Sequence, residues 1–306
     1  MVNTFRNKIT LVTGGTGAVG SELVRQLLKF KPKQVRVLSR DDTKQYYLRE
    51  ELNHPPNLRL FIGDVRDKDR LLLAFDGADY VFHAAALKHV PIGEYNPFEL
   101  VKTNIIGSQN VIEAALERKV KKVIAVSTDK AVNPTSAMGV TKLMMEKLFT
   151  NANFWKGRAP SIFSCVRFGN VAWARGSVLP IWEKQASTAG AISITDRNMT
   201  RFFMSINQAV HLVLKATMLA KGGEIFVLKM PSVRMGKLAA MFADKYNGGR
   251  KLRIRVIGNR GGEKLHEVLL DDSDLEKKVF ESNEMFIVAP NALLYGLELP
   301  RPRFPG

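Results

Sequence analysis

The chain has a single cysteine, Cys165, among 306 residues. An internal disulfide is therefore excluded, as are metal sites built on four thiolates. No metal site is expected. No apolar run approaches the length of a membrane span. The opening residues, Met1 to Arg6, contain no apolar signal region and read as leading straight into a strand. A cytoplasmic protein is expected. Internal repeats and low-complexity linkers are also missing, so the length points to one large or two intimate domains. A hydrophobic fraction of 45% is enough for a substantial core.

Acidic residues are scarce relative to basic ones: 29 Asp and Glu against 46 Lys and Arg, a net charge of +17. Such an excess suits nucleic acid, an anionic membrane surface or an anionic small substrate. The basic residues come in short groups, at 29–33, 118–122 and 250–255, with no long basic tail and no aromatic-basic interleaving. A solvated, charged face accounts for them. Nothing resembles a groove-reading motif, so no nucleic-acid partner is expected. Peripheral contact with an anionic membrane surface is the better of the remaining readings.

What is present is a regular alternation of short apolar runs and helical patterns as far as Asn170. It predicts an α/β fold, a doubly wound parallel sheet of the Rossmann type. Residues 8–13 form a β-branched run, followed by Gly14, Gly17 and Gly20 at three-residue spacing and then a helix to about Phe30. Gly14 makes the tight turn, Gly17 lets backbone amides approach a pyrophosphate, and Gly20 lets helix and strand pack closely. The second strand, 34–38, ends in Ser39 and Arg40, where an acidic residue would bind the ribose of NAD. A hydroxyl and a guanidinium suit a 2′-phosphate, so NADP is expected over NAD. Asp41, one residue on, keeps NAD open, and Arg40 can also be read as a plain surface charge.

The third strand, 58–62, leads to Asp64, placed to accept from an adenine amino group with Val65 against the ring. Capping the next helix is the rival role for Asp64, but Asp67 fits it better. After the fourth strand, 79–83, the small side chains Ala84 to Ala86 let a cofactor lie close to the backbone. Lys88 and His89 follow on a loop suited to a diphosphate. A helix is expected from Pro97 to Arg118, with Asn104 bracing neighbouring strand ends. Cys165, in the middle of strand 161–166, reads as core. Asn170, just past that strand, is placed to bond a sugar or phosphate. The expected division is a dinucleotide-binding domain over 1–170 and a smaller C-terminal substrate-binding α/β cap over 171–306, with about 202–230 returning to the sheet. Residues 300–306 are expected to be irregular.

The centre of the chain is Val126-Ser127-Thr128-Asp129-Lys130, at the end of the apolar run 123–126, with Lys142 on a helix starting near Met138. Ligands are handled at this edge of an open α/β sheet. A hydroxyl, a carboxylate and two amines can meet over one ligand there. A dinucleotide site with Thr128 and Lys142 suggests the short-chain dehydrogenase arrangement, in which a Tyr stands four residues before the Lys. Met138 holds that position, and a thioether cannot take a proton.

The motifs 13–17, 83–91, 127–131, 167–171, 195–202 and 262–267 together resemble the UDP-N-acetylglucosamine 4,6-dehydratases of bacterial polysaccharide and flagellin-sugar biosynthesis. These belong to the extended short-chain dehydrogenase/reductase superfamily. The resemblance runs from about residue 8 to 290. Members carry Tyr or Met at the position of Met138, and the Met form is similar to a branch that includes large membrane-anchored enzymes, whose soluble catalytic part this chain resembles. The resemblance implies hydride transfer from sugar C4 to NADP and back to C6, with loss of water. It implies Lys130 as the base at C5 and Asp129 as the acid at C6. With Met138 inert, Asp129 is also the candidate acceptor of the C4 hydroxyl proton. Thr128 would orient that hydroxyl and Lys142 the nicotinamide ribose. Lys130 must be neutral to act, and desolvation or a nearby Lys142 would make it so. Thr13 and Thr16 join the glycines, Ser39, Arg40, Asp64, Val65, Ala84 and Lys142 as expected cofactor contacts. Asn170, Arg201 and Glu263 are expected near the nucleotide, with Lys88 and His89 near the diphosphate or sugar. A structural salt bridge is the other reading of Arg201. A homo-oligomer acting on UDP-N-acetylglucosamine is expected. A nucleotide-sugar 4-epimerase and a non-catalytic nucleotide-binding protein are the competing functions.

Overall fold

The β-branched run near the start becomes strand β1 (Ile9–Thr13), with four of its five residues buried. The computed structural model describes residues 1–246, 252–259 and 261–290. The expected irregular stretch 300–306 lies outside the described residues. Beside β1 lie β2 (Gln34–Ser39) and β4 (Tyr80–His83), both parallel to it. Outward from β2 lies β3 (Leu58–Ile62), and outward from β4 lie β5 (Lys122–Val126), β6 (Ile162–Arg167) and β10 (Ile225–Leu228). The strand order therefore reverses at β1, and a crevice opens there at the carboxyl ends of the strands.

Two further strands, β13 (Val279–Glu281) and β14 (Met285–Val288), form an antiparallel hairpin on β10 and complete a nine-stranded sheet. The sequence reading grouped this hairpin with the cap; it extends the large sheet instead. Parallel strands covered on both faces read as continuous apolar runs, as all four buried residues of β10 illustrate. One face carries α2 (Ala18–Lys29) and α10 (Ile206–Leu219), packed through Leu23, Leu27, Leu212 and Val213. The other carries α4 (Lys68–Phe75), α7 (Gly107–Glu117) and α8 (Ala137–Trp155), packed through Leu71, Val111, Ile112 and Phe149.

A separate cluster of Leu179, Trp182, Ile192, Met199 and Phe242 underlies the smaller layer. It gathers α9 (Val178–Ala189), α11 (Met235–Lys245) and two small sheets. One sheet joins β7 (Asn170–Val171), β9 (Thr200–Met204) and β11 (Ser232–Arg234), and the other joins β8 (Ala191–Ile194) and β12 (Arg253–Val256). Capping follows the sequence. Asp41 caps α3 (Asp42–Glu51), Asp67 caps α4, Ser136 caps α8, and Ser205 with Gln208 forms a capping box on α10.

Two local readings are corrected. Residues before β1 form a short helix α1 (Val2–Phe5), because Phe5 turns inward against the rings of Phe30, Tyr80 and Phe82. The helix expected over 97–118 forms without a break as far as Glu117, but its winding changes along the way. After α5 (Val90–Tyr95), α6 (Pro97–Leu100) runs into a π-helical turn at Val101–Ile106, and α7 follows. The wider turn carries Asn104, which is buried. Its amide brackets both backbone groups of Leu87 and bonds the Thr141 hydroxyl. Asn104 thus braces the loop after β4, as expected of it.

Candidate active site

The crevice beside β1 is an open groove of about 420 Å³. Gly14, with φ +67°, turns the chain, and a Cβ there would lie 2.7 Å from the backbone of Ala85. A Cβ on Gly20 would lie 2.3 Å from the Gly14 carbonyl, so α2 can reach β1 only through a glycine. At Gly17 a Cβ would meet only the Gly14 oxygen, at 3.2 Å. Helix α2 starts there with no side-chain cap and no acid in its first turn. Its leading amides are the natural seat for a phosphate anion. Along the groove stand Thr16, Ser39, Arg40, Lys44, Asp64, Val65 and Ala84 to Ala86. The Thr16 and Ser39 hydroxyls bond each other at 2.7 Å. This cradle fits a dinucleotide.

Two of the expected cofactor residues lie beneath the groove. Gly20 supplies close packing. Thr13 is fully buried, with its hydroxyl 2.8 Å from His83 Nδ1. Ser108 Oγ gives its hydrogen to the Asn104 carbonyl, so it accepts from His83 Nε2, and the Thr13 hydroxyl donates to Nδ1. Burial pushes His83 down to about 3, with the charge of Lys142 adding to it, so the ring stays neutral. A chain of polar groups thereby fixes the floor beneath the alanine loop.

Asp64 is more committed than the sequence suggested. Its carboxylate accepts from Arg66 at 2.6 Å and lies 3.5 Å from Arg40. Burial raises it, but the bonds from Arg66 and the Arg40 charge outweigh that and hold it below the usual aspartate value. Asp41 accepts from the Lys44 amide as the cap of α3 and is ion-paired with the Lys44 side chain.

At the end of β5, Thr128 caps a short 3-10 turn, Asp129–Ala131. The Asp129 side chain is fully buried, and its Oδ1 accepts from Thr128 Oγ1 at 2.9 Å and from Lys130 Nζ at 3.0 Å. Asp129 Oδ2 has no hydrogen-bond partner among the described residues. A Cβ on Gly169 would lie 3.0 Å from that oxygen, so glycine leaves it room. Lys130, with a quarter of its side chain exposed, also reaches Asn170 Oδ1 at 3.3 Å and Glu267 Oε1 at 3.6 Å. Burial pulls Lys130 down, but Asp129 and Glu267 more than offset it and hold the ammonium above its ordinary value. The expectation of a depressed Lys130 is thus corrected. Lys142 is not what faces it; two carboxylates are.

Lys142 is itself depressed, to about 8, by burial. Its Nζ donates to the Val126 carbonyl at 2.6 Å and to Met145 Sδ at 3.1 Å. Met138 is 3% exposed and sits among Val90 and Leu100, with Leu87 alongside. An apolar cluster thus surrounds the position where a phenol was sought.

Lys88 and His89 meet the loop before α9. Lys88 Nζ donates to the Arg175 carbonyl at 3.0 Å, and His89 lies against Gly176. Burial lowers both, and Lys88 lowers His89 further. Arg201 is buried on β9, donating to the carbonyls of Thr200 and Leu265, and its charge reaches Lys130. No salt bridge to Arg201 is found among the described residues. Glu263 Oε2 is buried without a hydrogen-bond partner among the described residues. Glu267 closes the motif 262–267, and its one signal in the sequence is a carboxylate four residues after Glu263, itself expected near the nucleotide.

The chain matches the family described as Polysaccharide biosynthesis protein over residues 10–290. It is 52% identical over 301 residues to an uncharacterized membrane protein of Methanocaldococcus jannaschii, covering 97% of this chain and 89% of the relative. It is 45% identical over 291 residues to a Campylobacter jejuni UDP-N-acetylglucosamine 4,6-dehydratase (inverting), covering 94% and 84%. It is 42% identical over 277 residues to a Rickettsia typhi UDP-glucose 4-epimerase, covering 89% and 80%. Among solved structures, one called Pen, from Bacillus thuringiensis, superposes with a TM-score of 0.92 at 44% identity, covering 94% and 90%.

Proposed function

The chain belongs to the polysaccharide biosynthesis protein family, among its nucleotide-sugar dehydratases and epimerases, and we propose that it is a 4,6-dehydratase. Its substrate is UDP-N-acetylglucosamine and its product a UDP-4-keto-6-deoxy-N-acetylhexosamine. The observation that carries this reading is the buried Asp129 carboxylate bonded at 3.0 Å to Lys130 at the sheet edge. An epimerase needs a 4-ketone but has no use for an acid-base pair beside C5 and C6. The cofactor is NADP. Asp41, the acid that would otherwise serve an NAD ribose, is occupied as a helix cap and by Lys44, while Arg40 lines the groove as a cation.

Bound NADP would supply the acceptor, and later the donor, of one hydride. The residues of this chain handle the protons. Asp129 Oδ2, buried and without a partner among the described residues, accepts the proton of the 4-hydroxyl as C4 is oxidised. Thr128 holds the other carboxylate oxygen. Protonation of Asp129 removes the nearer of the two negative charges on Lys130. The Lys130 pKa then falls, and the amine can release its proton through its exposed quarter. The 4-ketone acidifies C5–H, and neutral Lys130 takes that proton. The C–H electron pair becomes the C5–C6 double bond, hydroxide leaves C6, and Asp129 returns its proton to form water; as the hydride is returned at C6, the Lys130 ammonium gives a proton to C5. Lys142, depressed by burial and tied to the Val126 carbonyl, orients the end of β5 and the ribose beside it. Arg201, Asn170 and Glu263 contact the nucleotide sugar, and Lys88 and His89 its diphosphate.

Incubation with UDP-N-acetylglucosamine in deuterated water tests the reading. Deuterium at C5 of a 4-keto-6-deoxy product is expected. An isomeric sugar without deuterium would mean epimerase, and no turnover would leave a binding protein.

A further inference from the structure

We propose that Glu267 is a positioning residue for this reaction: its carboxylate, held between Lys130 and Lys264, fixes where the Lys130 nitrogen sits and how firmly it keeps its proton. The inference rests on the dehydratase reading of Asp129 and Lys130. The Glu267 side chain is 3% exposed, with Oε1 3.6 Å from Lys130 Nζ and Oε2 3.3 Å from Lys264 Nζ. Among the described residues Oε2 makes no hydrogen bond, so the carboxylate is held there by charge rather than by a saturated network.

The segment bearing Glu267 is strapped across the site. Lys264 donates to the carbonyl of Val132, the residue that ends the Asp129–Ala131 turn. Thr135 Oγ1 donates to the Gly262 carbonyl at 3.2 Å. The Thr200 amide donates to the Leu265 carbonyl at 2.9 Å, and the Thr200 hydroxyl bonds His266 Nδ1 at 2.9 Å. Residues 262–266 are thus pinned to both β9 and the catalytic turn, and Glu267 is delivered to Lys130 at a set distance.

The groups facing Lys130 are Asp129, Asn170 and Glu267, with the Arg201 charge opposing them. Once Asp129 has taken the 4-hydroxyl proton, Glu267 is the remaining negative charge. It stabilises the ammonium that forms when the C5 proton arrives. Removal of that charge leaves a weaker base that is neutral at lower pH.

The test is an NMR titration of the full chain with lysine labelled with carbon-13 at the ε position, the Lys130 signal being assigned by its loss in Lys130→Arg. In Glu267→Gln the Lys130 titration should fall by about one to two pH units, the usual effect of an opposite charge at this range. The ascending limb of kcat/KM against pH should move the same way. An unchanged Lys130 titration in Glu267→Gln would overturn the proposal. If Glu267→Gln has no cooperative thermal transition, Glu267→Asp carries the test. It keeps the charge one methylene further off and should give a smaller fall, and no fall or a rise would overturn the proposal. A wild type that makes no 4-keto-6-deoxy product sinks the dehydratase reading, whereas the titration alone decides whether Glu267 governs Lys130.

Discussion

Replacement of Asp129 by Asn removes a proton carrier while keeping shape. Neither Met138 nor Lys142 is placed to substitute for it. Met138 is enclosed by Val90 and Leu100, and Lys142 is bound to the Val126 carbonyl. General acid-base catalysis by one positioned group contributes roughly 10²- to 10⁴-fold. At about 1.4 kcal/mol per tenfold, that is about 3–5 kcal/mol of transition-state stabilisation. Turnover of Asp129→Asn should fall by that factor. The same change withdraws a charge 3.0 Å from Lys130. At an effective dielectric of about 20 such a pair is worth about 5 kcal/mol before screening, and exposure of the Lys130 side chain reduces this to about 2–3 kcal/mol. Lys130 should therefore become neutral at lower pH and still exchange C5–H of an already oxidised sugar. The assay is proton NMR in deuterated water, with the nucleotide sugar in one tube and the 4-keto product in the other. Loss of turnover with C5 exchange retained is expected for Asp129→Asn, and loss of both for Lys130→Met. Full turnover by Asp129→Asn would refute the proton-carrier role. Loss of ketone exchange in that variant would refute the separation of acid from base.

Arg40→Ala removes a half-exposed cation from the groove and should weaken NADP binding about three- to tenfold while sparing NAD, measured by calorimetry; equal losses would contradict a 2′-phosphate role. Gly20→Ala forces a methyl to 2.3 Å from the Gly14 carbonyl and should cost about 1–3 kcal/mol in urea melts, with weaker dinucleotide binding; an unchanged midpoint would mean that α2 moves freely. Asp274 lies 2.6 Å from buried Arg167, which also bonds Glu146. Burial raises Asp274, but the Arg167 and Lys277 charges hold it below its ordinary 3.8. A depressed carboxylate contributes stability that is present above its unfolded value and lost as pH falls through the folded value. Asp274→Asn should therefore cost about 3–5 kcal/mol at neutral pH and flatten the loss of stability below about pH 4, read from thermal melts across pH.

Much of the fold was readable because local chemistry forced it. The strand, glycine triplet and helix at residues 9–29 permit one geometry, and Asp67 had a cap to make. Asn104 was readable as a brace, yet the π turn that carries it was not, since one extra backbone residue per turn leaves no mark in apolar spacing. The hairpin 279–288 has strands of three and four residues, too short for periodicity to show. Lys130 and Asp129 were legible as neighbours in sequence. The charge state of Lys130 was not, because Glu267 adds to the effect of Asp129 and the chain brings Glu267 in from afar.

The strap over the catalytic turn ties Lys264 to a carbonyl 132 positions earlier. On a ribosome the earlier residues of a chain emerge first. The dinucleotide cradle at residues 14–85 is made early, well before the glutamate that restrains the base. A chain ending before Gly262 would keep every residue of the groove and lack the segment that is tied to the catalytic turn.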